Sequence, residues 1–259
     1  MAPSILTRAD AERTLPRLGG MARPDGVVIV SERFWALAGP DGTLREGVMP
    51  TALAPIRHVP LLRGLARLAT ALAPLARSGG VAGRRERAFL LAAVLAPCGL
   101  AFLPERVGLA AGLLLGAALV AWMLRGRTLS LHGAEHRAIA AVEERRLVAA
   151  WTGAAHPSRF ALRCGTNFAA LALPVAAVAD RLWPLPLTLW SPLAVAVLSL
   201  AVTMEVWQVV QASSHPVARA FMAPGLALQR LTTREPTLEE TQVALRAVAS
   251  VLRRELDPI

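Results

Sequence analysis

Four long apolar runs dominate the chain, at residues 88–103, 107–124, 167–183 and 193–210. Each lies near the lower length limit for a helix that crosses a bilayer. The turn sequences Pro104-Glu105-Arg106 and WPLPLTLWSP (183–192) join them into two hairpins. Trp122, Trp183, Trp190 and Trp207 fall near run ends, where an interfacial aromatic belt belongs. Ahead of the runs the pattern shortens. Residues 27–31 and 34–38 read as strands, the GPDG turn follows at 39–42, and 43–48 reads as the returning strand of a small β-hairpin element. Residues 1–26 are polar, contain Gly and Pro, and read as loose at the start. Residues 60–76 have helical periodicity, with Arg63 and Arg67 on one face and Leu61, Leu65, Leu68 and Leu72 opposite. That helix is too short and too charged to span, so it belongs on the membrane surface or against the bundle. After residue 236, Thr237 and Glu240 form a T-x-x-E capping box. Val243, Ala247, Val248, Val251 and Leu252 then mark the buried stripe of a terminal helix.

Composition sharpens this into a membrane protein. The 259 residues are 54% hydrophobic and 18% charged, against about 25% charged in ordinary soluble domains. Disorder and a coiled coil are excluded, and an ordinary cytosolic enzyme is disfavoured. A wholly buried soluble core is the other reading of the apolar runs. The charge balance is 28 basic against 18 acidic residues, net +10, and every basic residue is Arg. Those arginines flank the runs. Arg84, Arg85 and Arg87 precede the first, Arg125 and Arg127 follow the second, Arg159 and Arg163 precede the third, and Arg219 and Arg230 follow the fourth. The positive-inside rule places both termini and the 125–165 loop in the cytoplasm. The basic balance lacks interleaved aromatics, so no nucleic-acid partner is expected. Cys98 and Cys164 do not make a disulfide framework, and the N-terminus lacks the apolar core of a signal peptide. The expected architecture is mostly α: a multi-pass protein of the inner membrane with about four transmembrane helices, the β-hairpin element and cytoplasmic helices. Its segments are a cytoplasmic region at 1–87, a hairpin at 88–124, a loop at 125–165, a second hairpin at 166–211 and a cytoplasmic region at 212–259.

The sharpest chemical signal is His132-Gly133-Ala134-Glu135-His136, an H-x-x-E-H just after the second run. On a helix capped by Ser130 the two histidines are i and i+4, on one face and within reach of one metal ion. Glu135 is then placed to act on water, in an inverted form of the zincin arrangement. The bland alternative is a juxtamembrane helix whose histidines bond to neighbours. Glu205, an acid inside the fourth run, is the leading third ligand, with an ion pair to an Arg such as Arg163 or Arg125 as its alternative. Cys164 is a further ligand or nucleophile, or a packing residue. Glu143 is a spare ligand or part of a solvated face. Arg234, in Leu231-Thr232-Thr233-Arg234-Glu235-Pro236, sets the entry to the terminal helix, binds an anionic group or orients a ligand.

These residues carry a resemblance. PLLRG (60–64), HGAEHR (132–137), RCGTNF (163–168), PGLALQRLTTREP (224–236) and the Glu205 run together resemble the YqhQ-like membrane proteins, the family of domain of unknown function 1385. The resemblance covers nearly the whole chain. It implies a polytopic membrane protein of a family labelled a metal-dependent enzyme. Its signature polar positions here are His132, Glu135, His136, Cys164, Glu205 and Arg234, with Arg163, Thr166 and Glu235 in the same motifs. Two departures stand out. The family's G-G-Q-A-V-I-E pattern reads Gly19-Gly20-Met21-Ala22-Arg23-Pro24-Asp25, and its H-P-R-C-G-T reads Ala161-Leu162-Arg163-Cys164-Gly165-Thr166. His156-Pro157 is the nearest His-Pro pair to the missing one.

Two functions follow as expectations. One is a zinc-type hydrolase at the cytoplasmic membrane face, acting on a peptide or other small amide. A divalent metal would sit on His132, His136, Glu205 and Cys164, with Glu135 as base. The other is a non-catalytic assembly factor, scaffold or carrier in the lipid bilayer, with a structural polar cluster.

Overall fold

The structure is a computed structural model that describes residues 2–50, 56, 58–77, 79–100, 102–186, 188–213 and 215–257. The side chains of residues 2, 3, 97, 105, 123, 218 and 219 are outside the description. So are Ala101 of the first apolar run, Leu187 of the second hairpin turn and Ile259.

In chain order the elements are α1 (Ala2–Ala11), β1 (Gly19–Arg23), β2 (Gly26–Val30), β3 (Phe34–Ala38), β4 (Leu44–Val48), α2 (Leu62–Ala76), α3 (Arg84–Leu100), α4 (Glu105–Met123), α5 (Thr128–Glu143), α6 (Leu147–Thr152), α7 (Gly165–Arg181), α8 (Ser191–Ala212), α9 (Pro216–Ala220), α10 (Ala223–Thr232) and α11 (Leu238–Leu256). They gather into two units. The first comprises Met1–Pro50, Met123–Arg163 and Gln229–Ile259, the second Thr51–Trp122 and Cys164–Leu228. The expected 1–87 segment therefore divides at residue 50, with the strands in one unit and the amphipathic helix in the other.

In the first unit four antiparallel strands form a sheet of order β1-β2-β3-β4. The three strands read from alternation are β2, β3 and β4. The loose N-terminus expected before them is instead α1 and a further strand, β1. Arg23 and Asp25 flank the β1–β2 turn and pair at 2.9 Å. Gly26 at that turn has φ +159°, and a Cβ on it would lie 2.3 Å from the Ala38 carbonyl oxygen. Val27 opposite Ala38 and Ile29 opposite Ala36 put one sheet face into the core. Helices α5 and α11 cover that face and pack on each other, with α1 and α6 alongside. The stripe Val243, Ala247, Val248, Val251 and Leu252 is buried on α11 as expected. The Thr237–Glu240 capping box forms in full. Ser130 does not cap α5. The helix starts two residues earlier, at Thr128, and Ser130 donates to Arg127 O and to Glu240.

In the second unit α8 is the hub, contacted by α2, α3 and α7. The four expected apolar segments are helices α3, α4, α7 and α8. Only α8, among the described residues, is both long and apolar enough to cross a membrane. The apolar part of α4, Arg106–Trp122, is shorter. Helix α3 spends its first turn on Arg84, Arg85, Glu86 and Arg87, and α7 is 17 residues ending in Asp180 and Arg181. A full span needs about 20 predominantly apolar residues. Just 28% of the apolar window of α8 is buried. Its buried hydroxyls are satisfied within the helix, Ser199 donating to Val195 O and Thr203 to Ser199 O, both at 2.6 Å. Helix α2 forms as expected and lies against α8, where Gly64 allows close approach: a Cβ there would meet Met204 Cβ at 2.5 Å.

Candidate metal centre

Helix α5 places His132 and His136 one turn apart on one face, with ring centroids 4.4 Å apart and edge-on. Each ring is held through Nδ1 by a main-chain carbonyl: His132 to Thr232 O at 2.8 Å, His136 to Arg159 O at 2.7 Å. A carbonyl only accepts, so each Nδ1 carries the proton and each Nε2 presents its lone pair. This is the arrangement by which outer groups fix a metal-ligating histidine. His136 is 2% exposed, and its Nε2 has no hydrogen-bond partner among the described residues. A buried polar atom left unpaired costs about 1–3 kcal/mol and calls for an explanation such as an ion.

The other donors are placed as follows. Cys164 is the residue after Arg163, where the chain leaves the first unit. It N-caps α7, with Thr166 donating its N–H to Sγ at 3.4 Å and its hydroxyl 3.2 Å from the same atom. His132 and His136 are the two donor side chains that the first unit brings together, with their ligand atoms within 4.8 Å of each other, while Cys164 belongs to the second unit. Two imidazoles one turn apart suit zinc or a similar borderline-soft ion. Glu205 is not among them. It lies in the second unit, where its carboxylate accepts from Leu61 N–H at 3.0 Å and pairs with Arg63. The ion-pair alternative is thus the arrangement seen, with Arg63 rather than Arg163 or Arg125 as partner. Arg163 is paired instead with Glu143. Burial and the neighbouring charge of Arg17 lower the Arg163 pKa from its usual value.

Glu135 lies against Gly20 of β1. A Cβ on Gly20 would sit 2.8 Å from both Cγ and Oε1 of Glu135. Burial raises the Glu135 carboxyl to about 7, against the opposing attraction of His132. That is the range in which a carboxylate exchanges protons near neutral pH. Arg234 acts through its backbone, donating its N–H to Leu129 O at 2.9 Å, while the residue itself is exposed. Gly133 makes this possible, since a Cβ there would stand 2.1 Å from the Arg234 carbonyl oxygen. Glu235 pairs with Arg137 and Arg159. His156 is exposed, away from any donor role.

Arg137, Arg159 and Gln229 were legible only as flanking charge or motif filler. Arg137 is 5% exposed and donates to Pro157 O and Pro236 O. Gln229, fully buried, accepts from Ala161 N–H at 2.9 Å and donates to Ala161 O at 2.7 Å. The one available signal was position: Arg137 follows His136 directly, and Gln229 opens the run into Thr232.

The fold and site thus define a mostly helical protein with a small antiparallel sheet, an apolar helix of membrane-spanning length and a histidine pair on a buried helix face. A family model described as protein of unknown function (DUF1385) matches residues 113–254, and the chain belongs to that family. It is also 31% identical over 136 residues to the uncharacterised protein YqhQ of Bacillus subtilis (strain 168). That match covers 50% of this chain and 42% of the relative, so it spans less than half of the relative's length. No solved structure matches.

Proposed function

We propose that the protein is a membrane-embedded, metal-dependent hydrolase, with His132 and His136 holding a zinc-like ion at the cytoplasmic face. The observation that carries the reading is the buried, unpartnered Nε2 of His136 beside a second histidine whose tautomer is fixed the same way. When bound, such an ion supplies a Lewis acid that brings water into the range where it loses a proton near neutral pH. Glu135, raised by burial to about 7, would be the residue able to hold or release a proton beside such an ion. Its buried position beside Gly20 keeps bulk water from competing for it. The substrate class is a peptide or other small amide, by analogy with H-x-x-E-H hydrolases.

The membrane part of the proposal is a multi-pass arrangement with α3, α4, α7 and α8 in the bilayer and both termini cytoplasmic. Its support is the apolar surface of these helices. Leu91 and Val94, Leu113 and Leu114, Leu173 and Val209 are each at least 59% exposed. Exposed apolar area of that extent is unusual for a surface in water and suits lipid. Shorter helices fit a bilayer by local thinning or by snorkelling of flanking residues. Here the arginines in the first turn of α3 and those after α4 are the flanking residues. The metal and hydrolase parts of the proposal are tested together with purified Glu135→Gln in detergent. It should keep its metal and lose amide hydrolysis. Retained hydrolysis would remove Glu135 from the reaction.

A further inference from the structure

Both histidines are oriented by carbonyls that do not belong to α5. Thr232 O and Arg159 O come from two separate segments, so the ring geometry depends on what fastens those segments. Arg159 donates Nη1 to Thr233 O at 2.9 Å, and its Nε lies 3.4 Å from Oε2 of Glu235. Arg137, next to His136, donates Nε to Pro157 O at 3.2 Å and Nη1 to Pro236 O at 3.4 Å. Its Nη2 pairs with Oε1 of Glu235. The Glu235 carboxylate therefore bridges two guanidinium groups, one oxygen to each. One group, that of Arg137, anchors the 157–160 stretch, which contains Arg159, the carbonyl partner of His136. The other anchors the 232–236 stretch that begins with the His132 carbonyl partner.

We propose that Glu235 is a positioning residue for the histidine pair. By holding Arg137 and Arg159 together it fixes the two carbonyls that set both Nε2 lone pairs. This rests on the metal reading above. Glu235 is 65% exposed, so its ion pairs are screened and add little to global stability. Their effect is on orientation. Loss of the carboxylate leaves two guanidinium groups facing each other without a counter-charge. Arg159 and its carbonyl then shift relative to His136.

The test is a cobalt(II) titration of the full chain in detergent, followed by visible absorption, with thermal unfolding alongside. Glu235→Gln should weaken cobalt binding about tenfold, the scale for outer-shell partners of metal ligands, and alter the absorption bands. Its unfolding temperature should stay near that of the unsubstituted protein. Glu235→Asp, which keeps two oxygens, should recover part of the affinity. Arg159→Lys, which keeps the charge but not the two-sided donor geometry, should weaken binding as Glu235→Gln does. Cobalt binding by the unsubstituted protein with unchanged affinity and spectrum in Glu235→Gln would overturn the positioning role alone. No cobalt binding by the unsubstituted protein would overturn the metal reading and the positioning role with it. An affinity loss matched by an equal collapse of thermal stability in all three variants would also overturn it, because the bridge would then be holding the fold and not the rings.

Discussion

Two glycines set how closely the backbone can pass the chemistry. Gly133 stands between the histidines because α5 rests on the Arg234 carbonyl, 2.1 Å from where a Cβ would be. Gly133→Ala must push α5 off that oxygen and should cost about 1–3 kcal/mol, the usual scale of overpacking. Thermal or denaturant unfolding checks it, and unchanged stability would mean the contact relaxes freely. Gly20 plays the same part on β1. Gly20→Ala puts a methyl group within 3 Å of the Glu135 carboxylate and of Val28 O, and should destabilise by a similar amount. Sequence reasoning found His132, His136 and Glu135 because their spacing on a helix is local. It set Glu205 beside them by depth in the membrane alone. Depth does not fix which helix face an acid occupies, and the face it occupies meets Arg63. The second-segment carbonyls and Gln229 lie about 20 to 100 residues from their partners, a separation no periodicity encodes.

At the scale of elements, α11 depends on its first turn. The box of Thr237 and Glu240 satisfies two backbone donors, and Glu240 also accepts from Ser130 on α5. Thr237→Ala should lower stability by about 1 kcal/mol. Burial pushes the Glu240 carboxyl up, but the Thr237 N–H, the Ser130 hydroxyl and the Arg127 charge outweigh it, so its pKa is net lowered. The stability it contributes is present above the ordinary glutamate range and is lost as the pH falls through the lowered folded value. Glu240→Gln should therefore flatten the acid side of the stability–pH curve. An acid side identical to that of the unsubstituted protein would contradict it. The box, the buried stripe, the three later strands and all four apolar helices were readable, because each is written in a short periodic pattern. Helix α1 was not. Its ten residues carry Pro3, Arg8 and Asp10 with only Ile5 and Leu6 as large apolar positions, and Leu6 and Ala9 are buried only because the first unit brings distant segments to them. Strand β1 was missed for a related reason: Gly19-Gly20 breaks the alternation at the point where α5 approaches, so the signal for close packing hid the signal for a strand.

For the molecule as a whole, the chain divides its labour. One unit buries a histidine pair under a sheet and helix layer, and the other presents apolar helices. If those helices lie in a bilayer as proposed, a periplasm-dependent reporter should be active in the 183–190 turn and silent at the C-terminus. The reverse pattern would invert the topology, and activity at both sites would break the four-helix arrangement. The central claim is the metal site, and elemental mass spectrometry of detergent-purified protein beside His136→Ala tests it most directly. The account predicts about one zinc or similar ion per chain, lost in the variant. No stoichiometric metal in the unsubstituted protein, even after reconstitution, would contradict it and leave the polar cluster of an assembly factor, scaffold or carrier.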